Sequence, residues 1–277
     1  MYLSRAASIA AGVSEETPAM NVNRLCGSGL QAIVSSAQSL MAGDASFALA
    51  GGSESMSRSP YIVPTIRWGQ KMGDAGATDM MLGALNCPFG TGHMGVTAEN
   101  VAAEYDITRE AQDAFAIASL TRAQDAMKQG HFDAEIVPVQ VTVDKEQKTI
   151  TQDEQPPKAR LDKIPQLKPA FRDGGTVTAA NSSSISDGAA ALTLMRQSHA
   201  ERRGLKPLAV IRGHAGYANQ PNLFPTAPVG AIETLMRKTG WSLGDVDLFE
   251  INEAFAVVAL VTMSKLDLPH EKVNVYG

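Results

Sequence analysis

Cys26 is one of only two cysteines in the 277-residue sequence, and its setting is suited to nucleophilic chemistry. The stretch Met20–Leu25 runs into Cys26-Gly-Ser-Gly29 and then into a helical pattern, which places Cys26 at a strand-to-helix junction. The N–H groups and positive end of a helix favour a thiolate over a thiol. Gly27 and Gly29 leave the backbone open to a substrate, where N–H groups can donate to an oxyanion. The alternative is a buried cysteine among small residues that serve helix packing, because Cys-Gly-x-Gly alone is a weak pattern.

Asn252 lies at a second strand-to-helix junction, beside Glu253 and ahead of an apolar helix. Its amide is able to position a water molecule or polarise a carbonyl, and the alternative is an ordinary helix N-cap. Cys87 lies in a loop without such a setting, so no role is assigned to it. The segments His93–Gly95 and Asn181–Gly188 are not decided by their local sequence, which fits either surface loops or an approach to a ligand.

Strands and helices alternate around Cys26. Apolar residues from Leu30 to Met41 recur at helical spacing and predict one buried helix face, with Gly43 ending the helix. Ala45–Ala50 is predicted to be a short strand, and Gly51–Met56 a glycine-rich turn that leaves it. This order is the βαβ rhythm of an α/β fold.

The rhythm is lost from about Ser57 to Ser184 and resumes after Asn181. We interpret the intervening region as an insertion whose main element is a helix from Thr108 to Gln129, with Thr108 as its N-cap. The later elements are predicted to be strands at Ala189–Met195, Leu208–His214 and Val246–Ile251 and helices at Val229–Thr239 and Ala254–Met263.

Composition excludes several classes of function. The 24 Lys and Arg against 29 Asp and Glu give a net charge of −5, and there is no basic block to follow a phosphate backbone, so nucleic-acid binding is not expected. Two cysteines and five scattered histidines predict neither a disulfide framework nor a metal site. No apolar run is long enough to span a bilayer, and no G-x-G-x-x-G or Walker sequence supports nicotinamide or nucleoside-triphosphate chemistry. We therefore expect a cytoplasmic protein with no membrane partner.

Five ordered motifs together resemble the thiolase family along essentially the whole chain. The closest similarity is to acetyl-CoA C-acetyltransferases and 3-ketoacyl-CoA thiolases. The motifs are Asn23-Arg-Leu-Cys-Gly-Ser-Gly-Leu-Gln-Ala-Ile33, Gly51-Gly-Ser-Glu-Ser-Met-Ser57, His93-Met-Gly-Val-Thr-Ala-Glu-Asn100, Gly175-Thr-Val-Thr-Ala-Ala-Asn181 and Asn252-Glu-Ala-Phe255. The resemblance implies a layered α-β-α-β-α thiolase fold of two similar halves, with a loop insertion over the coenzyme A (CoA) site. By this match, residues 1–57 are the remainder of the N-terminal half, 58–184 the insertion and 185–277 a partial C-terminal half.

The resemblance also implies an enzyme of acyl-CoA and fatty acid metabolism. Cys26 would accept an acyl group from acyl-CoA and pass it to the carbanion of acetyl-CoA, or run the reverse cleavage. Asn252 would hold the water of one oxyanion hole, and the Cys26 N–H would contribute to the other. No cofactor is implied, because CoA thioesters are substrates, and the full-length parent is expected to be a homotetramer or homodimer. The residues expected to line the pantetheine and acyl tunnel are Leu85, His93, Met94, Ala179, Ser183, Ala254 and Phe255.

Several family features have no counterpart in the sequence. Thiolases carry a Gly-His-Pro segment and a later Cys-x-Gly segment, which supply the activating histidine and the general base, and neither occurs in these 277 residues. The strands and helix with which thiolases begin would precede residue 1. We therefore expect a chain truncated at both ends and impaired in catalysis. The alternative is a non-catalytic chain that binds acyl-CoA or associates with thiolase subunits.

Overall fold

The computed structural model describes residues 2–277, which form two compact units. The first contains residues up to 59 and 185–214, and the second contains residues 60–184 and 215–277. The helices are α1 (Leu3–Ala10), α2 (Ser28–Ala42), α3 (Met80–Ala84), α4 (Met94–Glu104), α5 (Arg109–Gln129), α6 (Gln155–Lys158), α7 (Gln197–Arg202), α8 (Ala227–Thr239) and α9 (Ala256–Leu266). The strands are β1 (Phe47–Ser55), β2 (Tyr61–Ile62), β3 (Thr78–Asp79), β4 (Asn86–Cys87), β5 (Gly92–His93), β6 (Val139–Val143), β7 (Glu146–Ile150) and β8 (Asp187–Met195). The division into 1–57, 58–184 and 185–277 stays a prediction.

Helix α2 in the first unit confirms the helix predicted after Cys26. It ends at Gly43, whose φ of 88° is the left-handed conformation that glycine adopts without strain. The expected buried face is only partly formed. Leu40 is buried, whereas Leu30 and Met41 are 74% and 78% exposed. The spacing of apolar residues predicted the helix correctly but overestimated how many of its apolar side chains are buried.

Strand β1 is longer than predicted, because it continues through the glycines that we expected to form a turn. It pairs antiparallel with β8 from Phe47 opposite Met195 to Ser55 opposite Asp187. A Cβ atom at Gly51 would lie 2.3 Å from the carbonyl oxygen of Ala190, so a glycine is needed for this close pairing. The prediction of a turn over Gly51–Met56 was therefore wrong, and these glycines serve strand pairing instead.

The segment Leu208–His214, predicted to be a strand, forms no regular element in the structure. Its apolar side chains are open to solvent, with Leu208 fully exposed and Ile211 52% exposed. A strand needs hydrogen-bonding partners along its length, and this segment belongs to none of the sheets formed by the described residues. An apolar, β-branched pattern was a misleading signal here.

The second unit is built around α9, which confirms the prediction of a buried helix that is apolar on nearly every face. Val257, Ala259 and Val261 are fully buried in it. Val257 and Val261 belong to a core that also includes residues of α4 and of the segments around Phe249 and Val273, and Ala259 packs with Phe115 in a second cluster. Burial of this kind contributes roughly 25 cal/mol per Å² of apolar surface, so this core fixes the second unit.

Helices α5 and α8 also agree with the sequence. Thr108 caps α5, and its Oγ1 accepts a hydrogen bond from the N–H of Ala111 at 3.2 Å. Helix α8 ends at Gly240 in the left-handed conformation. The strand predicted over Val246–Ile251 is reduced to a single parallel bridge between Phe249 and Val273. The neighbouring segment forms a β-bridge with it at one residue only.

Candidate functional site

Cys26 follows a tight turn that leads directly into α2. Leu25, just before it, has φ of 50°, a left-handed conformation that is strained for a residue with a branched side chain. The N–H of Gly27 donates to the carbonyl of Arg24 at 3.1 Å, and the N–H of Ser28 donates to the carbonyl of Leu25 at 3.0 Å. These two hydrogen bonds close the turn and hold Leu25 in its strained conformation just before Cys26.

Side chains strengthen the same turn. Ser28 Oγ donates to the carbonyl of Leu25 at 2.7 Å and accepts from the N–H of Arg24 at 2.8 Å. Asn23 Oδ1 accepts from the N–H of Leu25 at 2.9 Å. Cys26 itself is exposed and stands immediately before the N-cap of α2, Gly27. The positive end of this 15-residue helix therefore lies beside an accessible thiol.

Cys87, the second cysteine, lies in the β4–β5 hairpin opposite Gly92 and is half-buried. Hydrogen bonds from the Thr91 hydroxyl and from the backbone N–H groups of Phe89 and Thr91 lower the pKa of its thiol. Nothing in the residues around Cys87 indicates this environment beforehand. Cys87 is therefore the natural reference for any claim that Cys26 is the more reactive thiol.

His93 stands at the start of α4 as its N-cap. Its Nδ1 accepts a hydrogen bond from the N–H of Gly95 at 3.0 Å, so the proton of the neutral ring is on Nε2. Burial lowers the pKa of the His93 imidazole, which keeps the ring neutral at pH 7. The ring stacks on Phe171 with centroids 4.8 Å apart and planes inclined by 15°. A neutral, stacked imidazole offers one N–H donor and an apolar face.

Phe171 connects His93 to the Asn252–Phe255 motif. Its ring meets Phe255 edge to face with centroids 6.0 Å apart. Gly95 makes room for this ring, since a Cβ atom there would lie 2.2 Å from it. Phe171 is not among the residues predicted from the sequence, where its only local signal is an aromatic residue within a polar stretch ahead of the Gly175–Asn181 motif.

The loop that carries Ala179 and Ser183 is bonded to the Asn252–Phe255 segment. Ser183 Oγ donates to the carbonyl of Glu253 at 2.6 Å, and the Ser183 N–H donates to the carbonyl of Ala254 at 3.0 Å. Ser182 and Phe255 form an antiparallel bridge. Ala179 and Ser183 are exposed, and so is Asn252. The loop is therefore joined to the segment that carries the buried ring of Phe255.

The second unit therefore unites most of the residues predicted to line the tunnel. Met94 donates its N–H to the carbonyl of Leu85 at 2.8 Å and packs on the core that contains Phe255. Leu85, His93 and Met94 form one connected set with Phe171, and Phe171 joins it to Phe255, whose neighbours are Ala254 and Ser183. Cys26 belongs to the first unit and Asn252 to the second.

The described residues contain no cluster of three or more His, Cys, Asp or Glu side chains arranged to hold a metal ion. Within residues 2–277, no helix combines the length and apolar character that crossing a bilayer requires.

Comparisons with known proteins give a family match over nearly the whole chain. Residues 1–198 match the family model described as the thiolase N-terminal domain, and residues 205–277 match the thiolase C-terminal domain. The chain is 50% identical to the beta-ketothiolase BktB of Cupriavidus necator, over 100% of this chain and 71% of that protein. It is 46% identical to the cytosolic acetyl-CoA acetyltransferase of Mus musculus, over 99% of this chain and 70% of that protein.

Solved structures give the same result. The acetyl-CoA acetyltransferase of Bacillus anthracis superimposes with a TM-score of 0.95 at 41% identity, over 99% of this chain and 70% of that one. Human mitochondrial 3-ketoacyl-CoA thiolase in complex with CoA superimposes with a TM-score of 0.92 at 38% identity, over 100% of this chain and 69% of that one. The fold class expected from the five sequence motifs is confirmed.

Proposed function

This chain belongs to the thiolase family of acyltransferase enzymes, and we propose that it transfers acyl groups between CoA thioesters through an acyl-Cys26 intermediate. The observation that carries the proposal is the exposed thiol of Cys26, held by a strained and hydrogen-bonded turn at the start of α2. A nucleophile needs access and a fixed direction, and this turn supplies both. The resemblance carried by the five motifs supports this role for the cysteine.

In the first step, Cys26 Sγ attacks the carbonyl carbon of acyl-CoA and the C–S bond to CoA breaks. The thiol proton leaves with the CoA sulfur, so the products are acyl-Cys26 and free CoA. In the second step, acetyl-CoA loses a methyl proton to a base and its enolate attacks the acyl carbon. A C–C bond forms, and Cys26 leaves as a thiolate that takes up a proton. The product is a 3-ketoacyl-CoA, and thiolysis is the same sequence in reverse.

Two groups are proposed to stabilise oxyanions along this path. The N–H of Cys26 would donate to the oxygen of the tetrahedral acyl intermediate, where the positive end of α2 also favours negative charge. Asn252 is exposed and precedes Glu253, the residue bonded to Ser183. It would hold a water that donates to the enolate oxygen. Removing one such donor costs roughly 10²–10³ in kcat in enzymes that use oxyanion holes.

The set around Phe255 is proposed to bind the pantetheine arm of the substrate. Met94, Phe255 and the face of His93 are apolar, whereas Ser183 is an exposed polar group. An arm that alternates methylene groups with amides fits a lining of this kind. The neutral state of His93 suits the role, because a buried charge would have no partner on an uncharged arm.

Iodoacetamide labelling tests the role of Cys26 directly. We expect Cys26 to be alkylated far faster than Cys87, although hydrogen bonds lower the pKa of the Cys87 thiol. Cys26→Ser should abolish acyl transfer, and Cys87→Ser, the matched control, should leave it unchanged. Equal labelling of the two cysteines together with retained turnover of Cys26→Ser would refute the proposal.

We further propose that a polypeptide of these 277 residues condenses acyl groups very slowly. Its sequence contains neither Gly-His-Pro nor Cys-x-Gly, the segments that the family resemblance associates with activation and with the base. Without a base, an acyl-cysteine has no ready route to the acetyl-CoA carbanion. Acetoacetyl-CoA cleavage at the rate of a complete thiolase would overturn this proposal.

A non-catalytic role is the second candidate, and exposed apolar surface on the first unit favours it. Leu49 and Leu192 on the β1–β8 pair are 50% and 49% exposed, and Leu208 is fully exposed. Surface of this kind promotes association with other copies or with thiolase subunits.

Light scattering combined with an acetoacetyl-CoA cleavage assay separates the candidates. An inactive oligomer that binds acyl-CoA supports the second candidate, whereas an active homodimer or homotetramer supports the first. The cytosolic mouse relative supports a cytoplasmic location.

A further inference from the structure

The residues on both sides of Asn252 are held by a single side chain. Asn274 Oδ1 accepts a hydrogen bond from the N–H of Ile251 at 2.7 Å, and Asn274 Nδ2 donates to the carbonyl of Ile251 at 2.8 Å. The same Nδ2 donates to Oε1 of Glu253 at 2.6 Å. Asn274 is 97% buried, so its amide is shielded from competing water. Asn252 therefore sits between two residues that share one buried partner.

Glu253 is fixed at three points. One carboxylate oxygen accepts from Asn274, and the other accepts from Ser119 Oγ at 2.7 Å. Its backbone carbonyl accepts from Ser183 Oγ at 2.6 Å. With both oxygens and the carbonyl engaged, Glu253 has little freedom to rotate. The direction of the preceding residue, Asn252, is constrained in consequence.

Asn274 also needs its particular backbone. Its φ of 48° lies in the left-handed region, which asparagine tolerates better than most residues with a side chain. Only glycine enters this region more easily, but glycine has no amide to offer. Residue 274 must therefore adopt an uncommon backbone conformation and also provide a side chain that both accepts a hydrogen bond from Ile251 and donates one to it.

The segment that carries Asn274 is anchored without this side chain. Arg122 donates to the carbonyls of Val273 at 2.8 Å and His270 at 3.2 Å. The N–H of Asn274 donates to the carbonyl of Phe249 at 2.9 Å, in the bridge between Phe249 and Val273. Removing the Asn274 amide should therefore loosen the turn formed by Ile251, Asn252 and Glu253, while the segment that carries Asn274 stays in place.

We propose that Asn274 is a positioning residue that acts through Ile251 and Glu253 to aim the amide of Asn252 at the enolate oxygen. The inference rests on the proposed function, in which Asn252 holds the water of that oxyanion hole. A displacement of about 1 Å in a positioned group can cost on the order of 10² in rate, so a fixed turn has catalytic value.

The first test measures the turn itself and needs no turnover. Hydrogen–deuterium exchange is recorded on the full chain for the wild type, Asn274→Gly and the control Asn219→Gly, whose amide bonds Thr226 instead. Glycine keeps the left-handed backbone, so the segment stays in place while the side-chain bonds to Ile251 and Glu253 are lost. We expect exchange at Ile251, whose N–H donates to Asn274, to rise about tenfold or more in Asn274→Gly and to be unchanged in Asn219→Gly. Equal exchange in the wild type and Asn274→Gly would overturn the proposal.

The second test separates positioning from general stability. Acylation of Cys26 is followed by intact mass in single turnovers with two donors. Acetyl-CoA transfers its acyl group without forming an enolate, whereas acetoacetyl-CoA releases the acetyl-CoA enolate when its C2–C3 bond breaks. We expect Asn274→Gly to slow acylation from acetoacetyl-CoA by roughly 10–100-fold and acylation from acetyl-CoA by less than about twofold. Equal slowing with both donors would indicate a purely structural role and would overturn the proposal.

Two further variants complete the design. Asn274→Gly added to Asn252→Ala should have no further effect with acetoacetyl-CoA, because a residue that acts through Asn252 has nothing left to position. Glu253→Gln should stay close to the wild type, since its amide oxygen still accepts from Asn274, whereas Glu253→Ala should behave like Asn274→Gly. Additive losses in the double variant contradict the proposal. If the wild type is acylated by neither donor, the proposed function fails, and the exchange measurement alone decides whether Asn274 holds the turn.

Discussion

A single methyl group added at Gly95 should disturb the candidate site without altering any residue that touches the substrate. The Cβ atom of an alanine there would lie 2.2 Å from the ring of Phe171. Carbon atoms in contact are normally about 3.5–4.0 Å apart, so the ring must move by more than 1 Å. That movement would break its stacking on His93 and its edge-to-face contact with Phe255.

Three contributions determine how Gly95→Ala changes the free energy of unfolding. Overpacking of a filled site costs about 1–3 kcal/mol, and the lost aromatic contacts add about 0.5–1.5 kcal/mol. Alanine is a better helix former than glycine by about 1 kcal/mol, which offsets part of the cost. Gly95→Ala should therefore lower the free energy of unfolding by about 1–3 kcal/mol. It should also raise KM for the CoA substrate, because the His93 face is no longer supported.

Urea unfolding and steady-state kinetics measure the two effects, and Gly83→Ala is the matched control. Gly83 also lies in a helix of the second unit, but a Cβ atom there meets only Thr78 Cγ2, at an ordinary 3.9 Å. Gly83→Ala should be neutral or stabilising by up to about 1 kcal/mol. If Gly95→Ala proved as stable as Gly83→Ala, with an unchanged KM, the placement of Phe171 against His93 would be wrong.

Three further predictions concern groups around these elements. Glu99 is 97% buried and accepts hydrogen bonds from the N–H groups of Thr176 and Val177 at 2.8–3.0 Å. Glu99→Gln turns an NH₂ group towards a donor and should lower the free energy of unfolding, measured in urea, by about 3 kcal/mol. A decrease of less than about 1 kcal/mol would contradict this bonding. The hydroxyl and N–H of Ser57 lower the pKa of Asp187, so their stabilisation of the protein is complete above the ordinary carboxyl pKa and is lost as pH falls through the lowered value. Asp187→Asn should therefore flatten the acid limb of a stability-against-pH curve, and an unchanged curve would show that the contact does not stabilise the fold. Ser28→Ala removes both side-chain bonds that close the turn before Cys26 and should change the alkylation rate of Cys26 while leaving that of Cys87 unaltered; equal rates in Ser28→Ala and the wild type would count against a role for the turn.

Elements defined by local signals were predicted well from the sequence. Helix α5 has a threonine cap and α8 a glycine stop, and α9 has an apolar surface on nearly every side, all of which are readable within a few residues. The failures concern pairing between distant segments. Strand β1 extends through Gly51 because Ala190, far along the chain, lies against it, and Leu208–His214 joins no sheet among the described residues although its composition favours a strand.

The candidate site divides in the same way. Cys26, His93 and the Asn252–Phe255 motif are recognisable by type and order along the chain. The residues that support them are not, because Phe171 meets His93 and Asn274 meets Glu253 only in the folded protein. Neither has a sequence neighbour that marks it, so tertiary contacts had to reveal both.

The central claim is that Cys26 carries the acyl group, and mapping that group tests it most directly. The protein is incubated with acetyl-CoA, quenched in acid and digested, and each cysteine peptide is examined by mass spectrometry. We expect an acetyl thioester on Cys26 in the wild type and in Cys87→Ser, with release as acetyl-CoA when free CoA is added. An acetyl group on Cys87 alone, or none on either cysteine, would contradict the account.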